Sequence, residues 1–176
     1  MCRRDAVLRQ PVLVHTAVSP FAFARVDDDA DITDEIAAVV SLERWQADAG
    51  ILKKRNAPVG VALSNDQSPA DIADDLDAIG TVFLTFPAYT DGRAYSQARL
   101  LRQRYGYRGE IRATGNVLRD QYAFMQRCGF DAFEVAEGAD LAGWGRAAQA
   151  MSHHYQTAAD GVKAVWAKRH GQQADA

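Results

Sequence analysis

Four short apolar segments recur between Val59 and Val135, each followed by a stretch with helical spacing, and this alternation constrains the fold more than any other feature of the chain. The segments are Val59–Leu63 (VGVAL), Thr81–Phe86 (TVFLTF), Glu110–Thr114 (EIRAT) and Phe130–Val135 (FDAFEV). Short apolar runs bounded by proline, glycine or asparagine read as buried strands. Ser68–Pro69 marks a helix start, because serine can cap and proline tolerates the first helical position. A second helix is expected over Arg93–Tyr105, with an inward stripe of Ala94, Ala98, Leu101 and Tyr105 and a C-terminal Gly106. A third is expected over Asn116–Arg127, closed by Cys128–Gly129, and a fourth over Leu141–Met151. A possible fifth unit precedes them, the apolar run Ile36–Leu42 followed by a helix over Glu43–Lys54. Buried strands alternating with helices require a mainly parallel sheet covered by helices, so the fold class is α/β with four to five βα units.

The pattern leaves two architectures open, a Rossmann-like open sheet and a partial β/α barrel. In both, crossovers are right-handed and binding groups gather at the C-terminal ends of the strands. Residues 1–35 read as an irregular segment, with strands in Pro11–Val18 and Phe21–Val26 and a solvated acidic run from Asp27 to Glu35. Residues 36–151 form the α/β domain, and 152–176 a tail with a helix around Val162–Lys168. At 176 residues and 48% apolar, the chain suits one domain with a real core. A partial barrel this short could complete itself by dimerisation.

Net charge −3 argues against a nucleic-acid binder. No window nears the roughly 18 apolar residues of a membrane span, the N-terminus is a poor signal peptide, and two cysteines suit a reducing cytoplasm. No flavin, nicotinamide, haem, iron–sulfur or zinc motif occurs. The adjacent His153 and His154 lack the i, i+4 spacing of a metal pair, so no metal site is expected. Cys128 reads as a small buried residue.

Against that background one stretch stands out. From Arg93 to Arg119 lie seven arginines, no lysine and a single acid, Glu110. Guanidinium is planar, always charged and suited to forked recognition of oxyanions. The strand-end rule selects Asn65 and Asp66, then Thr90, Asp91, Gly92 and Arg93, then Thr114, Gly115 and Asn116, then Glu134 and Glu137. A helix starting at Gly92–Arg93 would present free N–H groups to an anion, beside the hydroxyls of Tyr95 and Ser96. The candidate catalytic residues are Asp91, Arg93 and Arg112. The candidate anion-binding set is Gly92, Arg93, Tyr95, Ser96, Arg112, Gly115, Asn116 and Arg119. Arg99, Arg102 and Arg104 fall off the inward stripe, on a face for solvent or a partner. Asp91 has a plainer reading as a helix cap, and Arg112 as one half of a structural ion pair with Glu110 or Asp91.

The run FPAYTDGRAYSQARLLRQRYGYRGEIRATGNVLRDQYAFMQRCGFDAF resembles an uncharacterised bacterial family, a domain of unknown function described as a probable oxidoreductase involved in sulfite reduction and encoded beside assimilatory sulfite reductase. The resemblance covers about Val59 to Val135, with a looser echo in Ser41–Trp45 and Tyr155–Gln156. Asp91, Gly92, Arg93, Tyr95, Ser96, Arg99 and Arg102 match its first motif. Glu110, Arg112, Gly115, Arg119, Asp120 and Gln121 match its second. It implies an accessory protein or oxidoreductase of sulfate assimilation. The alternative is a non-catalytic docking or assembly partner of sulfite reductase or its electron donor.

Overall fold

The computed structural model describes residues 12–14, 17–19 and 23–169. A short antiparallel pair, β1 (Val12–Val14) and β2 (Ala17–Ser19), precedes β3 (Ala24–Arg25) and β4 (Ala38–Ser41). Helix α1 (Leu42–Leu52) follows, its start capped by Ser41 Oγ, which accepts from the Arg44 N–H. Then come β5 (Val59–Leu63), a 3₁₀ segment (Pro69–Ala78), β6 (Thr81–Phe86) and α2 (Arg93–Gln103). The chain continues through β7 (Glu110–Gly115), α3 (Tyr122–Cys128), β8 (Ala132–Glu134), α4 (Leu141–Ala148) and α5 (Val165–Arg169).

Strands β3 to β8 are all parallel and lie side by side in chain order; β1 adds antiparallel to β8. That order decides between the two architectures. A doubly wound sheet reverses direction part-way and places helices on both faces. With no reversal, right-handed crossovers put every helix on one face, and the other face is buried only if the sheet curls. The structure is this half-barrel, an α/β fold of six parallel strands. One contact measures the curl. In a flat sheet β3 and β8 would stand roughly 24 Å apart, five spacings of about 4.8 Å. Yet the Arg25 guanidinium on β3 lies 3.3 Å from the Glu134 carboxylate on β8.

Side chains alternate between two cores. The outer one lies between sheet and helices and holds Val61, Leu84, Phe86, Ile111 and Phe133, together with the helical Trp45 and Leu101. The inner one, on the concave face, is smaller: Phe23, Val39 and Phe83, with Ala37 and Ala62 against them. Gly60 makes room for it, because a Cβ there would come within 2.5 Å of the Phe83 ring. The partial-barrel alternative is the one observed: helices cover the convex face, and on the concave face side chains from the strands fill the space.

The local differences have local reasons. Pro69–Ala78 winds as a 3₁₀ segment, although Ser68 caps it as expected. The helix expected from Asn116 begins only at Tyr122, after a short 3₁₀ turn at Arg119–Gln121. Gly115 adopts φ +87°, and the Asn116 N–H donates to the Phe86 carbonyl. This bond turns the chain across β6, and Leu118 stays extended. In the tail, the Ala159 N–H donates to the Arg127 carbonyl, and the Arg127 guanidinium pairs with Asp160 at 2.9 Å.

Candidate functional site

The C-terminal ends of β5, β6, β7 and β8 form one rim. At its β5–β6 side, the Gln97 side chain reaches up from α2 and donates to the Ser64 and Gln67 carbonyls, both at 2.7 Å. This holds the loop after β5 so that Asn65 donates to the Asp91 carboxylate. Asp91 in turn accepts from the Arg93 backbone N–H at 3.2 Å, from Arg93 Nε at 3.0 Å and from Nη2 at 2.7 Å. These hydrogen bonds, that from the Arg93 side chain above all, pull the Asp91 carboxyl down to about 2, and they raise the Arg93 pKa. The carboxylate is ionised at physiological pH, and its contacts hold the Arg93 side chain in one orientation. The Arg93 side chain remains 58% exposed, with its outer edge to solvent.

Beyond this cluster an open groove of about 590 Å³ runs across the ends of β6, β7 and β8. Thr85, Pro87, Asn116, Leu118 and Glu134 are among the residues that line it. Thr85, Thr114 and Glu134 are neighbours in register on the concave side, since Thr85 pairs with Thr114 and Glu134 follows Phe133, which pairs with Ala113. Arg25 ties the inner pair together: its Nη2 donates to Thr114 Oγ1 at 2.8 Å and to Glu134 at 3.3 Å.

The arginines that cluster in sequence separate in space. Arg112 points into the concave core in mid-strand and is 1% exposed. Its Nε and Nη2 both donate to Glu110 Oε1, at 2.9 and 2.6 Å, and its guanidinium lies 5.1 and 5.0 Å from the Phe23 and Phe83 ring centres. That is the ion-pair arrangement with Glu110, packed against two rings that meet each other edge to face, their centres 5.3 Å apart. Arg102 folds back along α2. It donates to the carbonyls of Gly129, Tyr107 and Gly109 and to the Asp131 carboxylate. Arg99 donates to Gln103, and Arg104 lies over the Tyr105 ring; both are exposed. Arg119 stands 3.8 Å from Asp140. Gly92 precedes α2, and Ser96 is exposed on it. Tyr95 packs among Phe86, Phe124 and Phe130, and this burial pushes its hydroxyl up to about 12. Of the expected anion set, Gly115 and Asn116 line the groove, and Gly92 and Arg93 sit at the rim beside Asp91.

Residues 60–166 match the family model described as Bacterial protein of unknown function (DUF934). The chain belongs to this family. Comparison with curated proteins returns no match. The stretch shared with DUF934 runs from β5 into α5 and takes in Asp91, Arg93, Arg112, Asn116 and Glu134, whereas Arg25 lies before it. The family description names no activity, so the link to sulfite reduction stays with the sequence resemblance alone.

Glu134 appeared among the strand-end residues but not in the site chosen from sequence, because a single glutamate after a strand has no distinguishing pattern. Arg25 left no signal at all, since its strand is only two residues long. Cys128 is half-buried, and burial pushes its thiol up. Among the described residues no group of His, Cys, Asp and Glu is placed to hold a metal, and no helix is long and apolar enough to cross a membrane.

Proposed function

We propose that this DUF934 protein binds a small oxyanion at the rim of its half-barrel and serves as an accessory protein or oxidoreductase of assimilatory sulfite reduction. The observation that carries the binding reading is the Asn65–Asp91–Arg93 cluster. Asp91 fixes one edge of the guanidinium fork, and the side chain stays open to solvent at the rim. A preset fork binds an oxyanion without the entropy cost of ordering a free side chain. The pathway is what the sequence resemblance implies. Asp91 acts here by orienting Arg93, and Arg112 acts by holding the concave core in shape. Calorimetric titration with sulfite, sulfate and phosphate tests this reading. Millimolar or tighter binding that Arg93→Gln weakens supports it; binding equal in the variant, or no heat for any of the three anions, refutes it.

A second reading is favoured by the outer face of α2. There Ser96, Arg99, Leu100, Gln103 and Arg104 line a shallow depression of about 360 Å³, with arginines around an exposed leucine. Such a face suits docking onto an acidic protein surface, as expected of a sulfite reductase or its electron donor. Co-purification at low and high salt tests it: a salt-sensitive complex lost in Arg99→Glu supports docking, and a complex indifferent to both excludes this face.

A further inference from the structure

Among the described residues, Glu134 is the one charged residue in the wall of the strand-end groove. Its side chain is only 11% exposed. Burying a carboxylate is costly unless it is well paired. Elsewhere the chain meets that cost with forked contacts, Arg112 on Glu110 and Arg93 on Asp91. Glu134 has a single long contact, Arg25 Nη2 to Oε2 at 3.3 Å, and no other donor reaches it from the described residues. Arg25 is also only partly used. Its Nη2 serves both Thr114 and Glu134, its Nε and Nη1 meet no acceptor among the described residues, and its side chain is 39% exposed. An anionic and a cationic group thus stand side by side at the mouth of the half-barrel, each with unused hydrogen-bonding capacity.

We propose that Glu134 and Arg25 bind the zwitterionic head of an α-amino acid. The ligand's ammonium donates to Glu134 Oε1, its carboxylate accepts from the open edge of Arg25, and its side chain lies along Val117 and Leu118. A simple anion in this place is repelled by Glu134 and a simple amine by Arg25, whereas a zwitterion satisfies both charges. Asn116 and Thr85, in the same groove, add neutral hydrogen-bonding groups. The site needs neither Asp91 nor Arg93, so it stands whether or not the rim binds an anion.

The test is a titration of the ¹⁵N-labelled full chain with L-valine, isobutylamine and isovalerate, following the amides of Gly115, Asn116, Val117 and Ala136. Valine is expected to shift them saturably, and more tightly than either half-ligand. Glu134→Gln weakens valine about tenfold, equivalent to about 1.4 kcal/mol. Ala136→Trp fills the groove from an exposed wall with the ion pair intact, and it abolishes the valine shifts even if Glu134→Gln proves unstable. Excess sulfate leaves the valine shifts in place, which separates this site from the anion reading. Isovalerate binding as tightly as valine, valine shifts untouched by both variants, displacement by sulfate, or no saturable shift with valine would each overturn the assignment.

Discussion

Arg102→Ala is expected to destabilise the protein far more than Arg99→Ala or Arg104→Ala, although all three arginines share one helical stretch. The Arg102 side chain is 17% exposed and closes the lower end of the sheet. Its Nε donates to the Gly129 carbonyl at 3.0 Å, its Nη1 to the Tyr107 and Gly109 carbonyls at 2.7 and 2.8 Å, and its Nη2 to Asp131. Asp131 also accepts from the Ile111 backbone N–H at 2.8 Å, so it couples β7 to the turn before β8. Truncation leaves three carbonyls without this donor and the Asp131 carboxylate with the Ile111 N–H but no countercharge from Arg102. Breaking a buried pair by removing one partner costs about 3–5 kcal/mol, and water entering this partly open site lowers that to about 3. For a chain of this length the melting point then falls by roughly 6–12 °C, at about 2–4 °C per kcal/mol. Arg99 and Arg104 are exposed, and their removal stays within about 0.5 kcal/mol. Urea unfolding followed by tryptophan fluorescence gives the three values side by side. If Arg102→Ala falls within about 0.5 kcal/mol of Arg99→Ala, the closure argument is wrong.

Three further outcomes follow from the same geometry. Gly115→Ala should cost about 2 kcal/mol or more by chemical denaturation, because φ is +87° and the new Cβ would meet the Phe86 carbonyl oxygen at 2.4 Å. Arg112→Ala should cost about 3–5 kcal/mol by leaving Glu110 unpaired and a cavity against the Phe23 and Phe83 rings, while Arg112→Met with Glu110→Gln recovers most of that loss. Asp91 should titrate near pH 2 by carboxyl ¹³C chemical shift, against an ordinary value of 3.8, and return toward that value in Arg93→Ala. The sign follows from the lowered pKa: its contribution to stability is fully present above the unfolded value of about 3.8 and is lost as pH falls through about 2. An ordinary midpoint in the wild-type chain would remove the Asp91–Arg93 fork from the rim.

Periodicity made the strands legible because a buried strand needs a short apolar run whatever surrounds it. Val59–Leu63 and Thr81–Phe86 coincide with β5 and β6. Of the expected stripe, Ala94, Ala98 and Leu101 are fully buried on α2, whereas Tyr105 lies past the helix end and is only partly buried. The third helix was misread at its start because the hydrogen bond from Asn116 to Phe86 is a contact between strands, and no local propensity reports it. The rim residues Asp91 and Arg93 were findable, since aspartate–glycine–arginine after a strand is a local arrangement of cap and charge. The arginine cluster itself was misleading, because neighbours in sequence leave a strand or helix in different directions. Arg112 points into the concave core, Arg102 back along its helix, and Arg104 outward.

The order of elements by itself determined an α/β chain with a parallel sheet and polar groups collected at the C-terminal strand ends, because alternating buried strands and helices admit no other layering. Tertiary structure alone decided that the sheet is singly wound and curls. That curl is a cumulative property of six strands, and no single segment encodes it. It brings Arg25 from the first parallel strand onto Glu134 of the last, 109 residues away. The Arg25–Glu134 pair therefore exists only in the folded half-barrel.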